Sequence, residues 1–510
     1  MPPQYLLGVD IGTYESKGVL TTAEGEIIAV EVRPHRLVIP RQGWAEHDAE
    51  DVWWGDFVAL TRRLLAVTEI NPKHIAGIGC SAIAPDVLPV DAECNPLRSG
   101  GILYGIDTRA AAEIADLEAA LGVDAIFTKA GNALSAQAIG PKILWLKRHE
   151  PEVYRRAHRF VTATSFLVAR LTGNYAVDQL TGSFSAPLYD FERRAYDDSL
   201  SREIVELERL PELRWANEIA GVVTPAAAAQ TGLAAGTPVI VGTSDAGAEA
   251  VSVGVTAPGQ MMLMYGSTIF FIEVLSRPVT DERLWAAPYL FEGTSALLAG
   301  MATSGALTRW FRDQLAPDLA AVEEAGGENA YAALTRAAAS VPPGSEGLVV
   351  LPYFSGERTP INDPRARGVY FGLTLAHTRA HLYRAALEGI GHGVRHHLDV
   401  MRSIEAMPSE VIAVGGGAKS DLWLQIVSDI CQVQQTVPAV VLGASYGDAF
   451  LAGLGAGLFD APDAIHGWLA NARTVTPNRA LAALYDRYHD IYLRLYQQNR
   501  QAMHELHDLA

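Results

Sequence analysis

The sequence predicts an α/β protein of two large domains, the second a structural copy of the first, and three observations carry that expectation. Its 510 residues exceed what one ordinary core holds together. Short apolar runs end in glycine-containing turns, the pattern of buried strands delivering loops. The opening motif of strand, glycine turn, strand returns after Pro258-Gly259.

Residues 5–9 form an apolar run that stops at Asp10-Ile11-Gly12-Thr13, and apolar runs at 18–22 and 27–32 follow across the short polar turn Glu24-Gly25-Glu26. This is a strand meander with hairpin-like turns. Residues 51–67 carry apolar side chains at helical spacing, and 75–80 read as a buried strand. Helical pieces are expected over 151–158 and 160–170. A strand at 239–241 ends at Gly242-Thr243-Ser244-Asp245, and an Ala/Gly-rich helix follows. The second half restarts with strands at 260–264 and 269–274 around Tyr265-Gly266-Ser267-Thr268. Residues 381–398 place Leu382, Leu387, Ile390 and Val394 near one helical face, and a strand at 411–414 enters Gly415-Gly416-Gly417. The tail from 479 to 506 reads as an amphipathic helix. The expected division is an N-terminal domain over 1–250, a second over 251–490 and a helical tail over 491–510.

Composition narrows the function. Apolar residues make up 49% and charged residues 19%, so a folded globular chain is expected rather than a disordered one. The net charge of −18 argues against nucleic acid and anionic membrane partners, whose binding draws on Lys and Arg. A small anion such as ATP remains compatible if backbone N–H groups and a metal ion hold it. Cys80, Cys94 and Cys431 make no CxxC pair, so neither a zinc site nor a disulfide framework is expected. A cytoplasmic protein is the simplest expectation: the start lacks a signal-peptide pattern, and no apolar window of about 18 residues suggests a membrane span.

Four constellations carry chemistry. In Gly8-Val9-Asp10-Ile11-Gly12-Thr13 a strand delivers an aspartate and a glycine into a tight turn. Such a turn lets N–H groups approach a phosphate while the carboxylate holds hydrated Mg2+, although a plain hairpin would use the same residues for turn hydrogen bonds. Gly266, Ser267 and Thr268 repeat the form with hydroxyls. Gly415, Gly416, Gly417 and Ala418 suit a flat ligand such as adenine, or an ordinary strand-to-helix turn. Asp245, at the end of a buried strand, could accept a proton from a substrate hydroxyl; on local grounds alone a helix N-cap is the stronger reading. Lys17 and Lys142 read as solvated lysines. His392, His396 and His397 read as surface or packing residues, since no metal-ligand spacing joins them.

Longer stretches bring a resemblance into view. Gly368-Val369-Tyr370-Phe371-Gly372-Leu373 followed by His381-Leu382-Tyr383-Arg384-Ala385-Ala386-Leu387-Glu388 resembles the C-terminal signature of the FGGY carbohydrate kinases. Leu351 through Pro360, Trp44-Ala45-Glu46-His47-Asp48 with Trp53-Trp54, and Pro141 through Leu146 are similar to further segments of the family, most of all its xylulokinase-like branch. The resemblance runs over roughly 5–459. It implies two ribonuclease-H-like (actin-like ATPase) domains flanking a central cleft, and ATP and Mg2+ as cofactors. By the same resemblance Asp245 is the catalytic base, Asp10 the metal-associated aspartate, and Gly12 and Thr13 the first phosphate turn. Gly266, Ser267 and Thr268 are the second phosphate turn, and Gly416, Gly417 and Ala418 the adenosine motif. Tyr104, Asp107 and Arg109 resemble a segment beside the sugar. The branch's Met- and His-bearing sugar segment is replaced here by residues 79–88, where Asp86 either binds sugar hydroxyls or serves as a turn residue.

The expected reaction is ATP-dependent phosphorylation of a sugar or polyol, with a ketopentose such as D-xylulose foremost. D-Ribulose, pentitols, sugar acids and glycerol are alternatives. A non-catalytic sugar or nucleotide sensor on the same fold, or a phosphatase or hydrolase of the superfamily, are the rivals; the first lacks its usual basic DNA-binding segment here. Relatives are frequently homodimers, so a homodimer fits the resemblance too.

Overall fold

The computed structural model describes residues 4–200, 202–439, 441–469 and 472–509. Two compact units emerge, and neither is one continuous stretch. The first combines Met1–Pro258, Val274–Ala296 and Leu442–Leu469; the second combines Gly259–Glu273, Leu297–Val441 and Ala470–Ala510.

The first unit is built on a mixed sheet. Its strands are β1 (Tyr5–Ile11), β2 (Glu15–Thr22), β3 (Ile27–Pro34), β4 (Ile75–Ala82), β5 (Ile219–Val222), β6 (Pro238–Ile240) and the short β7 (Thr243–Ser244). They lie in the order β5-β6-β4-β1-β2-β3, with β7 beside β4. The antiparallel meander β1-β2-β3 is the one the sequence predicts. β1 and β4 run parallel, with Asp10 opposite Ser81. Leu6, Leu7, Val9 and Ile11 are all buried because β1 is covered on both faces, by the helices Gly55–Thr68 and Ala444–Gly455. The second helix comes from far along the chain and approaches the sheet through glycines. A Cβ at Gly8 would lie 1.9 Å from the Ser445 carbonyl oxygen, and one at Gly79 would lie 2.2 Å from that of Asp448.

The second unit repeats the plan. Its strands β8 (Gln260–Tyr265), β9 (Ile269–Leu275), β10 (Ser295–Met301), β11 (Glu410–Val414), β12 (Gln435–Pro438) and β13 (Ala472–Val475) follow the order β10-β9-β8-β11-β12-β13. β8 pairs antiparallel with β9 and parallel with β11, as β1 does with β2 and β4. The duplication inferred from two glycine turns thus extends to the order of the first four strands of each sheet.

Several boundaries differ from the sequence reading, each for a local reason. The helix placed over 160–170 starts later, at Ala163, because the Thr162 side chain accepts from the Ser165 N–H and caps it there. Residues Arg159–Val161 form a strand instead, paired with Leu88–Val90. The helix placed over 51–67 is preceded by a wider turn over Ala49–Trp54, capped by Asp48 through the N–H groups of Glu50 and Asp51. The terminal helix spans Ala482–Leu509 and buries Tyr485, His489, Tyr492, Leu495, Tyr496 and Met503, a stripe at helical spacing. Among the described residues no helix is long and apolar enough to cross a membrane.

Candidate active site

In the first unit the parallel strands β1 and β4 end side by side and bring acidic groups together. Asp10 lies one residue before the end of β1, and its Oδ1 accepts from the Ser81 hydroxyl at 3.0 Å. The same hydroxyl lies 2.7 Å from Oδ2 of Asp448, on the helix Ala444–Gly455. A hydroxyl has one hydrogen, so it cannot donate to two carboxylates at once. Ser81 therefore serves one of the two carboxylates at a time as donor. Burial, followed by the charge of Asp10, pushes the Asp448 carboxyl well above the usual range. Burial, followed by Asp245, does the same to Asp10. Neither Ser81 nor Asp448 was singled out from sequence. The available signals were the register of Ser81 against Asp10 and one carboxylate within the small-residue run Gly443 to Gly453.

Asp245 is the first residue of the helix Asp245–Ser252. The capping bond comes from Ser244, whose hydroxyl accepts from the Gly247 N–H at 3.1 Å. The capping role that local sequence favoured for Asp245 therefore belongs to its neighbour. Among the described residues the Asp245 carboxylate accepts only from the Ala246 N–H, at 2.7 Å, and burial pushes it up to about 6. Glu249, one helical turn on, is pushed up by burial to about 7, with Lys17 pulling the other way.

The sugar-side candidates divide. Asp86 is fully buried; Oδ1 accepts from the Ala163 N–H at 2.8 Å, while Oδ2 has no partner among the described residues. Burial raises it to about 8, so it stays protonated near neutral pH and can donate a hydrogen bond. Tyr104 lies with its hydroxyl 3.2 Å from the Thr13 hydroxyl. Asp107 and Arg109 are largely spent on each other. Both carboxylate oxygens of Asp107 bind the guanidinium, and Oδ2 also accepts from the Ala45 N–H at 2.7 Å. Arg109 adds an ion pair to Glu46 and lies over the Trp44 ring, leaving Nη1 without a partner among the described residues. Lys142 is not solvated. Its Nζ is buried and donates to the Leu103 carbonyl at 2.6 Å, and burial lowers it to about 7.

In the second unit β8 and β11 also end side by side, which puts two glycine turns together. A Cβ on Gly415, at φ +90°, would sit 2.8 Å from the Tyr265 carbonyl oxygen. A Cβ on Gly417 would meet the Trp423 ring and Tyr265, while Gly416 faces open space. Gly266 and Ser267 turn their carbonyls toward a helix start: Gly305 donates to the first at 3.0 Å, and Ser304 and Ala306 donate to the second at 3.0 Å. Ala418 is buried in the short turn Gly416–Lys419. His392 and His397 are buried packing residues, His397 being stacked on Phe271.

The profile of the FGGY family of carbohydrate kinases, N-terminal domain, matches residues 5–252, and that of the C-terminal domain matches 261–456. The chain is 30% identical to xylulose kinase of Escherichia coli over 499 residues, covering 96% of this chain and 98% of that protein. It is 26% identical to gluconokinase of Bacillus subtilis, with 96% and 95% covered. The crystal structure of xylulose kinase from Rhodospirillum rubrum superposes with a TM-score of 0.91 at 31% identity, covering 98% of this chain and all of that one.

Proposed function

The chain belongs to the FGGY family of carbohydrate kinases, and from that premise we propose that it transfers the γ-phosphoryl group of ATP to a hydroxyl of a neutral ketose, a ketopentose such as xylulose foremost. One observation carries the reading. Asp245 is a half-buried carboxylate relieved of its capping duty by Ser244 and raised by desolvation to about 6. It is ionised at neutral pH yet basic enough to accept the proton of an attacking hydroxyl.

Phosphoryl transfer depends mainly on position and charge. In this reading Asp245 orients the acceptor hydroxyl and takes its proton. In the first unit Thr13 offers a hydroxyl and an N–H group suited to phosphate oxygens, and in the second unit Ser267 and Thr268 offer donors of the same kind. Gly416, which faces open space, leaves room for the adenine, while Gly417 lets its turn pack on Trp423. Asp10 and Asp245 fit a divalent cation: both are hard oxygen donors, and their mutual repulsion raises Asp10 in the absence of positive charge. Mg2+ is commonly held by one or two carboxylates, waters and the substrate phosphates rather than by an all-protein cage. Bound there, it would neutralise phosphate charge. The proposal includes a cytoplasmic setting, in which the three free buried thiols stay reduced.

The choice of a neutral acceptor rests on charge. The first unit gathers five acids, Asp86 and Asp448 buried and Asp10, Asp245 and Glu249 half-buried. A sugar acid, the substrate class in the name of the Bacillus relative, would bring a further carboxylate among them. A coupled ADP-release assay with Mg·ATP against ketoses, pentitols, sugar acids and glycerol tests the reading. Turnover of a ketopentose, with sugar acids poor, is expected. Preference for a sugar acid would overturn the acceptor assignment.

A further inference from the structure

Two histidines stand behind the turn at Gly12-Thr13. His35 Nε2 lies 3.0 Å from the Gly12 carbonyl oxygen, and His47 Nε2 lies 3.0 Å from the Thr13 carbonyl oxygen. A carbonyl oxygen only accepts, so both Nε2 atoms donate. The His47 tautomer is fixed from its other side, where Nδ1 faces the Trp53 indole N–H at 3.4 Å. On His35, Nδ1 faces Asp56 Oδ2 at 3.0 Å, and Asp56 also binds Ser16 and Arg33. The two rings meet edge to face at 5.0 Å. His47 and Trp53 are completely buried, so this support is part of the core.

A trans peptide is planar, with its C=O and N–H pointing in opposite directions. Pinning the Gly12 carbonyl on His35 therefore aims the Thr13 N–H the other way, and pinning the Thr13 carbonyl on His47 does the same for the Tyr14 N–H. Neither N–H has an acceptor among the described residues. The second unit does the same by other means: the carbonyls of Gly266 and Ser267 are held by the N–H groups of Ser304, Gly305 and Ala306.

We propose that His35 and His47 are positioning residues for phosphoryl transfer: acting through the carbonyls of Gly12 and Thr13, they present the N–H groups of Thr13 and Tyr14 to the phosphates of the nucleotide. This rests on the reading of Gly12-Thr13 as a phosphate turn, not on the identity of the acceptor. Burial, reinforced by His35, lowers His47 to about 4. The ring is therefore a neutral donor at working pH and adds no charge of its own.

The test uses the whole protein and Mg2+ with a non-hydrolysable ATP analogue, with adenosine as a phosphate-free control. His35→Phe and His47→Phe keep a ring but remove the donor; His35→Gln and His47→Gln keep an N–H near the ε position. Calorimetry is expected to show the Phe variants binding the analogue roughly tenfold or more weakly, the Gln variants within about threefold of the parent, and adenosine unchanged throughout. In the unsubstituted protein the amide NMR signals of Thr13 and Tyr14 are expected to shift with the analogue and not with adenosine, which needs no variant to fold. Phe variants that bind normally, equal losses for adenosine, Gln variants no better than Phe, or unmoved amides would each overturn the proposal. A parent that binds no nucleotide would overturn both this and the phosphate-turn reading. The expected binding pattern without turnover of any ketose would leave this inference standing and sink the acceptor assignment alone.

Discussion

At the scale of single residues, the decisive fact is which of two neighbours caps a helix. Ser244 and Asp245 are both good N-caps, and a reader of Gly242-Thr243-Ser244-Asp245 has no local means of choosing. The structure gives the cap to Ser244 and leaves Asp245 with one backbone donor. Asp245→Asn removes the base while keeping the shape, so kcat is expected to fall by about 10²–10⁴-fold with the melting temperature not lowered. Normal turnover in that variant would remove the assignment. The base must be ionised to work and ionises at about 6. In the parent protein, kcat/KM for the acceptor is therefore expected to drop as pH is lowered through that value; a profile flat down to pH 5 would contradict the role. Asp86 was legible only as a choice between turn residue and ligand. Its burial, its bond from Ala163 and its unpartnered oxygen come from residues far away in sequence.

At the scale of elements, the helix Ala444–Gly455 shows what strand patterns cannot reveal. It lies against β1 and β4 at distances only glycine permits: the Cβ positions at Gly8, Gly77 and Gly79 all fall within 2.7 Å of its carbonyl oxygens. This approach also carries Asp448 to Ser81. Because the obstruction is backbone rather than a flexible side-chain end, it cannot be relieved by a rotamer change. Gly79→Ala is expected to cost at least about 2 kcal/mol, read as a lower urea midpoint, and to reduce activity through the Ser81–Asp10 contact. A midpoint equal to the parent's would mean that the helix is free to move away. The apolar runs of β1, β4, β8 and β11 were legible because strands buried on both faces read as continuous hydrophobic stretches. The partner of those faces was not.

At the scale of the whole molecule, the buried acids make stability depend on pH in an uncommon direction. Burial raises Asp86, Glu273 and Glu357 to about 8 and Glu249 to about 7, from ordinary values of 3.8 for Asp and 4.5 for Glu. Near neutral pH the native state therefore holds protons that the unfolded chain has released, and stability falls as pH rises. His47 and His397, lowered by burial to about 4 from 6.5, work in the opposite sense only below 6.5. Lys142, lowered to about 7 from 10.5, opposes the acids above neutrality, but it is one group against several. The melting temperature is expected to fall between pH 6.5 and pH 8. A rise over that interval would mean that these carboxyls are ionised in the native protein.

The sequence by itself determined the family, the α/β class, the duplicated strand–turn–strand plan and the positions of the glycine turns. All of these are written within a few residues of one another, where apolar period and turn chemistry act directly. Tertiary structure alone decided that Ser244 rather than Asp245 caps its helix, that Ser81 sits between Asp10 and Asp448, that Lys142 is buried, and that His35 and His47 hold the first turn from behind. Those outcomes depend on sheet register, on close backbone approach and on the desolvation that follows. Each joins residues far apart in the chain, and none leaves a periodic trace for local sequence to show.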